Sequence, residues 1–136
     1  MKLSRTVAYA VQATLQLAQT GHDTPVPCSQ LASDGHMPER FLLQILRNLV
    51  THGILRSTRG VDGGYTLVRP ANEVSLLEVI EAIDGPLSSD SNLSDVLPAN
   101  SYDKLQEALS QVTTTARHQL EAIKLSQLME PAVEAK

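Results

Sequence analysis

The stretch ILRSTRGVDGGYTLV, residues 54–68, constrains the fold more than any other part of the chain. Two short β-prone runs, Ile54 to Thr58 and Tyr65 to Val68, flank Arg59-Gly60-Val61-Asp62-Gly63-Gly64, which is the signature of a hairpin. Around it the apolar residues recur at helical spacing. The pattern therefore predicts a mainly α chain with one small β-hairpin.

Ser4 is placed to cap a first helix running to about Gln19, with Val7, Ala10, Val11, Leu15 and Ala18 on its apolar face. Gly21-His22-Asp23 ends that helix and Thr24-Pro25 turns the chain. Pro27 fits the first turn of a short helix to Ser33, which faces Leu31 and Ala32 inward and is broken by Gly35. Pro38 fits the first position of a third helix to about His52, with Gly53 as its stop. Its expected buried stripe is Phe41, Leu42, Ile45, Leu46, Leu49 and Val50, opposite Arg40, Gln44, Arg47, Asn48 and Thr51. After the hairpin, Ser75-Leu-Leu-Glu78 is a capping box opening a helix through Val79, Ile80 and Ile83 to Asp84-Gly85-Pro86. From Ser101 a long helix carries Leu105, Leu109, Val112, Ala116, Leu120 and Ile123, close to a heptad seam. The expected organisation is one domain over 1–86, a polar loop over 87–100, the long helix over 101–129 and a frayed tail over 130–136.

Composition narrows the function classes. Hydrophobic residues at 42% and charged residues at 19% exclude a disordered tail, and no apolar run approaches the roughly 20 residues that span a bilayer. The opening MKLSRTVAYAVQATLQLAQTG is like a signal start, but Gln and Thr interrupt it, so it reads as a helix kept in the mature protein. A single cysteine, Cys28, excludes an internal disulfide and suits a reducing cytoplasm. The net charge of −4 is uneven: residues 1–70 hold seven basic against four acidic side chains (+3), residues 71–136 four against eleven (−7). Such asymmetry marks either a local nucleic-acid surface or a chance scatter of few charges.

Three helices followed by a Gly-tipped hairpin describe a winged helix-turn-helix, a fold whose third helix fits the major groove of duplex DNA. Arg40 and Gln44 share a face one turn apart, where Arg can fork onto guanine and Gln can pair with adenine. Arg47, offset from that face, suits a phosphate or an internal ion pair. From the helix alone an ordinary solvated face is the favoured reading. The hairpin shifts the balance: Gly60, Gly63 and Gly64 clear side chains from the tip, and a narrow minor groove attracts a residue such as Arg59. Turn geometry accounts for one or two of the three glycines.

STRGVDGGYTLVR closely resembles the wing of the bacterial winged-helix regulators of the IscR, NsrR and CymR type, the Rrf-two family. The resemblance extends through Ser4-Arg5-Thr6-Val7-Ala8-Tyr9-Ala10, Phe41-Leu-Leu-Gln-Ile-Leu-Arg-Asn-Leu and Ser75-Leu-Leu-Glu-Val-Ile-Glu-Ala-Ile-Asp-Gly85, and covers about residues 1–86. It implies a cytoplasmic, homodimeric transcription factor, most simply a repressor, that binds double-stranded DNA at a palindromic operator. The third helix with Arg40 and Gln44 would enter the major groove and the wing from Arg59 to Tyr65 would touch backbone and minor groove, with Tyr65 anchoring the wing by packing. The seam from Leu105 to Ile123 would be intersubunit core; the alternative is that it packs on the chain's own first helix.

The chain also departs from that family. Many members carry three cysteines before the long helix and bind an iron–sulfur cluster there, whereas Leu87 to Asn100 contains no cysteine and no histidine. No cofactor is expected, and Asp90 and Asp95 read as solvated loop charges. Cys28 heads the second helix, where the dipole can lower a thiol pKa, though a small core thiol is the favoured reading. His22, His36, His52 and His118 lack metal-ligand spacing, so no metal is expected. No nucleophile, base and oxyanion arrangement is present, so the chain does not read as an enzyme. Glu39 beside Arg40 and the outward Leu43 leave the target sequence open. The rival reading is a dimer of the same fold acting through a partner protein. The effector is open among a small molecule, a protein, Cys28 oxidation and none.

Overall fold

The chain, described here by a computed structural model over residues 2–21, 23–88 and 93–129, begins with a helix capped by a hydroxyl. Ser4 Oγ accepts the Val7 N–H at 3.1 Å and starts α1 (Arg5–Thr20). The buried face of α1 is Val7, Ala10, Ala13, Thr14 and Leu17, whereas Val11, Leu15 and Ala18 are only partly covered. The apolar face is thus rotated from the one expected. Thr14 can lie at its centre because its hydroxyl donates to the Val11 carbonyl at 2.8 Å, which removes the cost of burying it.

The second helix, α2 (Cys28–Gly35), starts one residue after Pro27 and runs past Ser33. Gly35 stays helical, and the reversal falls on His36, which takes the left-handed conformation at φ 55°. Gly35 is small for a packing reason: a Cβ there would stand 2.7 Å from both Gln16 Oε1 and Met37 Cε. α3 (Glu39–Thr51) follows, with Pro38 just outside it, and buries Leu42, Ile45, Leu46 and Leu49. Val50 is partly buried, but Phe41, expected in the buried stripe, is 65% exposed and lies outside it.

β1 (Leu55–Thr58) and β2 (Gly64–Leu67) form the antiparallel hairpin, in register Leu55↔Leu67 to Thr58↔Gly64. The hairpin is clamped to the α1–α2 connection by backbone alone. Val26 N–H donates to the Tyr65 carbonyl at 3.1 Å, and Tyr65 N–H donates back to the Val26 carbonyl at 2.9 Å. Gly64 makes this approach possible: its φ is 153°, and a Cβ would fall 2.4 Å from the Val26 carbonyl carbon.

A single 3₁₀ turn at Ala71–Glu73 leads to α4 (Leu76–Asp84), whose capping box forms as expected. Ser75 Oγ accepts the Glu78 N–H at 3.1 Å, and Ser75 N–H donates to Glu78 Oε2 at 2.9 Å. Arg69 completes the corner by pairing with the Glu78 carboxylate. Burial opposes the charge on Glu78, but its bonds from Arg69 and Ser75 outweigh that and hold its carboxyl below the ordinary value.

The long helix is shorter than its expected 101–129 span. α5 (Ala99–Ala122) ends before Ile123, and a separate turn, α6 (Leu125–Leu128), follows. The break has a tertiary cause. Leu76 N–H donates to the Ile123 carbonyl at 2.8 Å and Leu125 N–H to the Val74 carbonyl at 2.9 Å, a short bridge that pairs this segment with the start of α4. Leu125 is fully buried in the main core, beside residues such as Leu17, Leu46 and Val74. Leu120 joins Val7, Leu76, Leu77 and Ile80 in a second cluster, with Ile123 packed against it. Two of the six residues of the expected intersubunit seam, Leu120 and in part Ile123, are therefore covered by their own chain. Arg117 also pairs with Glu81 of α4. The expected tail 130–136, with His22 and Asp90, lies outside the described residues.

Gly64→Ala is expected to lower stability by about 2–4 kcal/mol, combining steric overlap with an unfavourable φ. Gly60→Ala, where nothing stands within 4 Å of a Cβ, should lose only about 1 kcal/mol from its φ of 110°. Denaturant unfolding of the two variants checks this, and equal losses would contradict it. For Glu78, the folded carboxyl is the stronger acid, so its contribution is complete above the unfolded carboxyl value and fades as pH falls through the folded one. Glu78→Gln should therefore destabilise at pH 7, and its gap to the unsubstituted protein should close on acidification. A gap that stays constant or widens would contradict the tie.

Candidate nucleic-acid interface

α3 buries one side in the core and presents Arg40, Gln44 and Arg47 on the other, all three exposed. Gln44 Nε2 donates to Asn48 Oδ1 at 3.2 Å, an i to i+4 bond that holds the amide along the helix. Bidentate pairing of Gln44 with a base edge has to give up or share that bond. The Asn48 carbonyl is also met by His52 Nδ1 at 2.9 Å, which ties the far end of the helix.

The hairpin tip projects Arg59 and Gly60 into solvent beside a fully exposed Val61. The glycines divide by role. Gly63 N–H donates to the Gly60 carbonyl at 3.0 Å, and a Cβ on Gly63 would stand 2.2 Å from the Thr58 carbonyl oxygen. Gly64 is required by the Val26 clamp. Turn geometry and packing thus explain Gly63 and Gly64, which sequence reasoning attributed in part to a close approach by phosphate. Tyr65 is partly buried against the main core, in line with an anchoring role.

The arginines separate into two groups. Arg69 and Arg117 are each paired with a glutamate of α4 and stiffen the scaffold. Among the described residues, Arg5, Arg40, Arg47, Arg56 and Arg59 form no ion pair. Sequence reasoning missed Arg5, which stands in the first turn of α1 and borders a groove of about 310 Å³ shared with α3. A signal was present: a cation at a helix N-terminus opposes the helix dipole, so Arg5 is not there for helix stability.

The remaining candidates do not gather with these. Cys28 is partly buried, its Sγ 3.8 Å from the Glu39 carbonyl. Burial first, and the Glu39 charge second, push its thiol above the ordinary value, the opposite of the lowering that a helix N-terminus can give. Among the described residues no three His, Cys, Asp or Glu side chains are grouped to hold a metal ion, and no helix is long and apolar enough to cross a membrane. On α5, only Leu120 is buried. Leu105, Leu109 and Ala116 are half-buried and Val112 is 64% exposed. Val112 and Ala116 line a shallow groove of about 580 Å³ along that helix with Ala108, Gln111, Thr115 and Gln119.

Comparison with known proteins identifies the kind of molecule this face belongs to. A family model described as "Rrf2: Iron-dependent Transcriptional regulator" matches residues 3–131. An inferred HTH-type transcriptional regulator of Mycobacterium tuberculosis is 45% identical over 89 residues, which are 65% of this chain and 55% of that protein. The chain thus spans about half the length of that relative. The HTH-type transcriptional regulator CymR of Bacillus subtilis is 26% identical over 114 residues, 82% of this chain and 83% of that protein. Its solved structure has the same fold, with a TM-score of 0.73 over 94% of this chain and 95% of that one, at 23% identity. T. potens IscR superposes with a TM-score of 0.70 at 27% identity, covering 100% of this chain and 93% of the other. The iron in the family's description finds no fitting thiolate set here. Leu87 to Asn100 holds neither Cys nor His, and Cys28 lies on α2 beside the Glu39 carbonyl.

Proposed function

The chain belongs to the Rrf2 family of transcriptional regulators, and on that premise we propose that it binds double-stranded DNA through α3 and the wing, as a homodimer on a palindromic operator. The observation that carries this reading is the division of the arginines: the scaffold ones are paired, whereas those of α1, α3 and the hairpin are exposed and uncompensated. Exposed cations held on rigid elements neutralise phosphates and release counterions. Arg40 and Gln44 read base edges in the major groove, Arg47 contacts phosphate, and Arg59 enters the minor groove at the wing tip, with Gly60 beside it.

Dimerisation runs along the outer part of α5, from Leu105 through Leu109 and Val112 to Ala116. A helix of 24 residues with one buried side chain has little of its own chain to hold it, which supports a second copy covering the seam. Leu120 and Ile123 support that seam from beneath. The protein acts in the cytoplasm as a repressor, without a cysteine-ligated iron–sulfur cluster and without catalytic activity. Its effector is a small molecule or a partner protein rather than Cys28, whose raised pKa works against a reactive thiolate.

Arg59→Ala tests the assignment. It should weaken binding to all DNA sequences by about 1–3 kcal/mol and leave the dimer intact by sedimentation. Unchanged affinity would remove the wing from the interface, and loss of the dimer would make Arg59 a structural residue.

A further inference from the structure

Phe41 is the chain's only phenylalanine, and 65% of it is exposed although it stands on α3 next to the buried Leu42. Its ring borders the groove of about 310 Å³ between the start of α1 and α3, whose other walls include Arg5, Tyr9, Pro38, Gln44 and Asn48. An aromatic ring left in water on a rigid helix is unfavourable until something covers it.

The neighbours of Phe41 specify the cover. It is adjacent to Arg40 and three residues before Gln44, so it shares the exposed side of α3 with them. Arg5 stands on the other lip of the groove. An apolar protein surface laid over Phe41 would strip water from two guanidiniums and an amide without compensating them. A DNA major groove meets all these demands together: a phosphate for Arg5, a guanine edge for Arg40, an adenine edge for Gln44 and, on an A·T pair, the C5-methyl group of thymine for the ring. Resting on the DNA-binding reading above, we infer that Phe41 is a specificity residue that packs against a thymine methyl in each half-site. Tyr9 and Pro38 line the groove beside it, and Arg5 fixes the register through the backbone.

The probe is the DNA fragment that the protein selects from genomic DNA, resynthesised with each thymine in turn replaced by uracil, which removes only the methyl. For the unsubstituted protein, one position per half-site should lose about fourfold in affinity, the share of one buried methyl-sized group. Phe41→Ala should bind the thymine and uracil forms of that position equally, and Phe41→Leu should keep part of the difference. Both variants should match the unsubstituted protein in melting and in affinity for non-specific DNA, because the side chain is outside the core. The inference is overturned if no uracil substitution matters, or if the loss is as large in Phe41→Ala as in the unsubstituted protein. Recovery of no shared sequence in the selection overturns the regulator reading and this inference together, whereas a shared sequence without methyl dependence removes Phe41 alone.

Discussion

The exchange of two backbone hydrogen bonds between Val26 and Tyr65 is the contact on which the functional face depends. A two-stranded hairpin has no independent stability, so its tip is useful only if its base is fixed. Here the base is fixed to the segment between α1 and α2, and the near strand is locked to the end of α3 because Ile54 N–H donates to the Leu49 carbonyl at 2.9 Å. α3 and the wing therefore move as one body, and Arg59 is held at a constant offset from Arg40 and Gln44. A protein that must engage two grooves of a duplex needs that offset preset, since ordering it on binding would subtract from affinity. Gly64 is the residue that permits the clamp, and its importance is steric, at 2.4 Å from the Val26 backbone, before it is functional.

The C-terminal segment is used twice. Its end returns to the core through Leu120, Leu125 and the backbone bridge at Ser75 and Lys124, reinforced by the Arg117–Glu81 pair. The preceding turns of α5 present half-buried and exposed apolar residues outward.

Local signals were legible in the sequence, and long-range ones were not. Ser4 and the Ser75–Glu78 box announce their helices because the bonds involved span three residues. The hairpin limits follow from the glycines. Thr14 disguised the true face of α1, since its polarity is cancelled only by a bond to Val11 within the folded helix. His36 took the left-handed position that Gly35 seemed made for, and Gly35 stays inside α2 with the side-chain ends of Gln16 and Met37 against it. The break after Ala122 depends on pairing with residues far back in the chain and has no local mark. At the site, Arg40, Gln44, Arg47 and Arg59 could be picked out by residue type, and all are exposed. Phe41 was hidden by being apolar and Arg5 by lying far from α3 in sequence; only their meeting across one groove distinguishes them.

The most direct test is the salt dependence of binding to the selected fragment against a scrambled one of the same length. The account predicts that log affinity falls linearly with log salt concentration on both, with the selected fragment tighter throughout and the slope for Arg59→Ala reduced by about one phosphate contact. Equal affinity for the two fragments, or binding indifferent to salt, would contradict it.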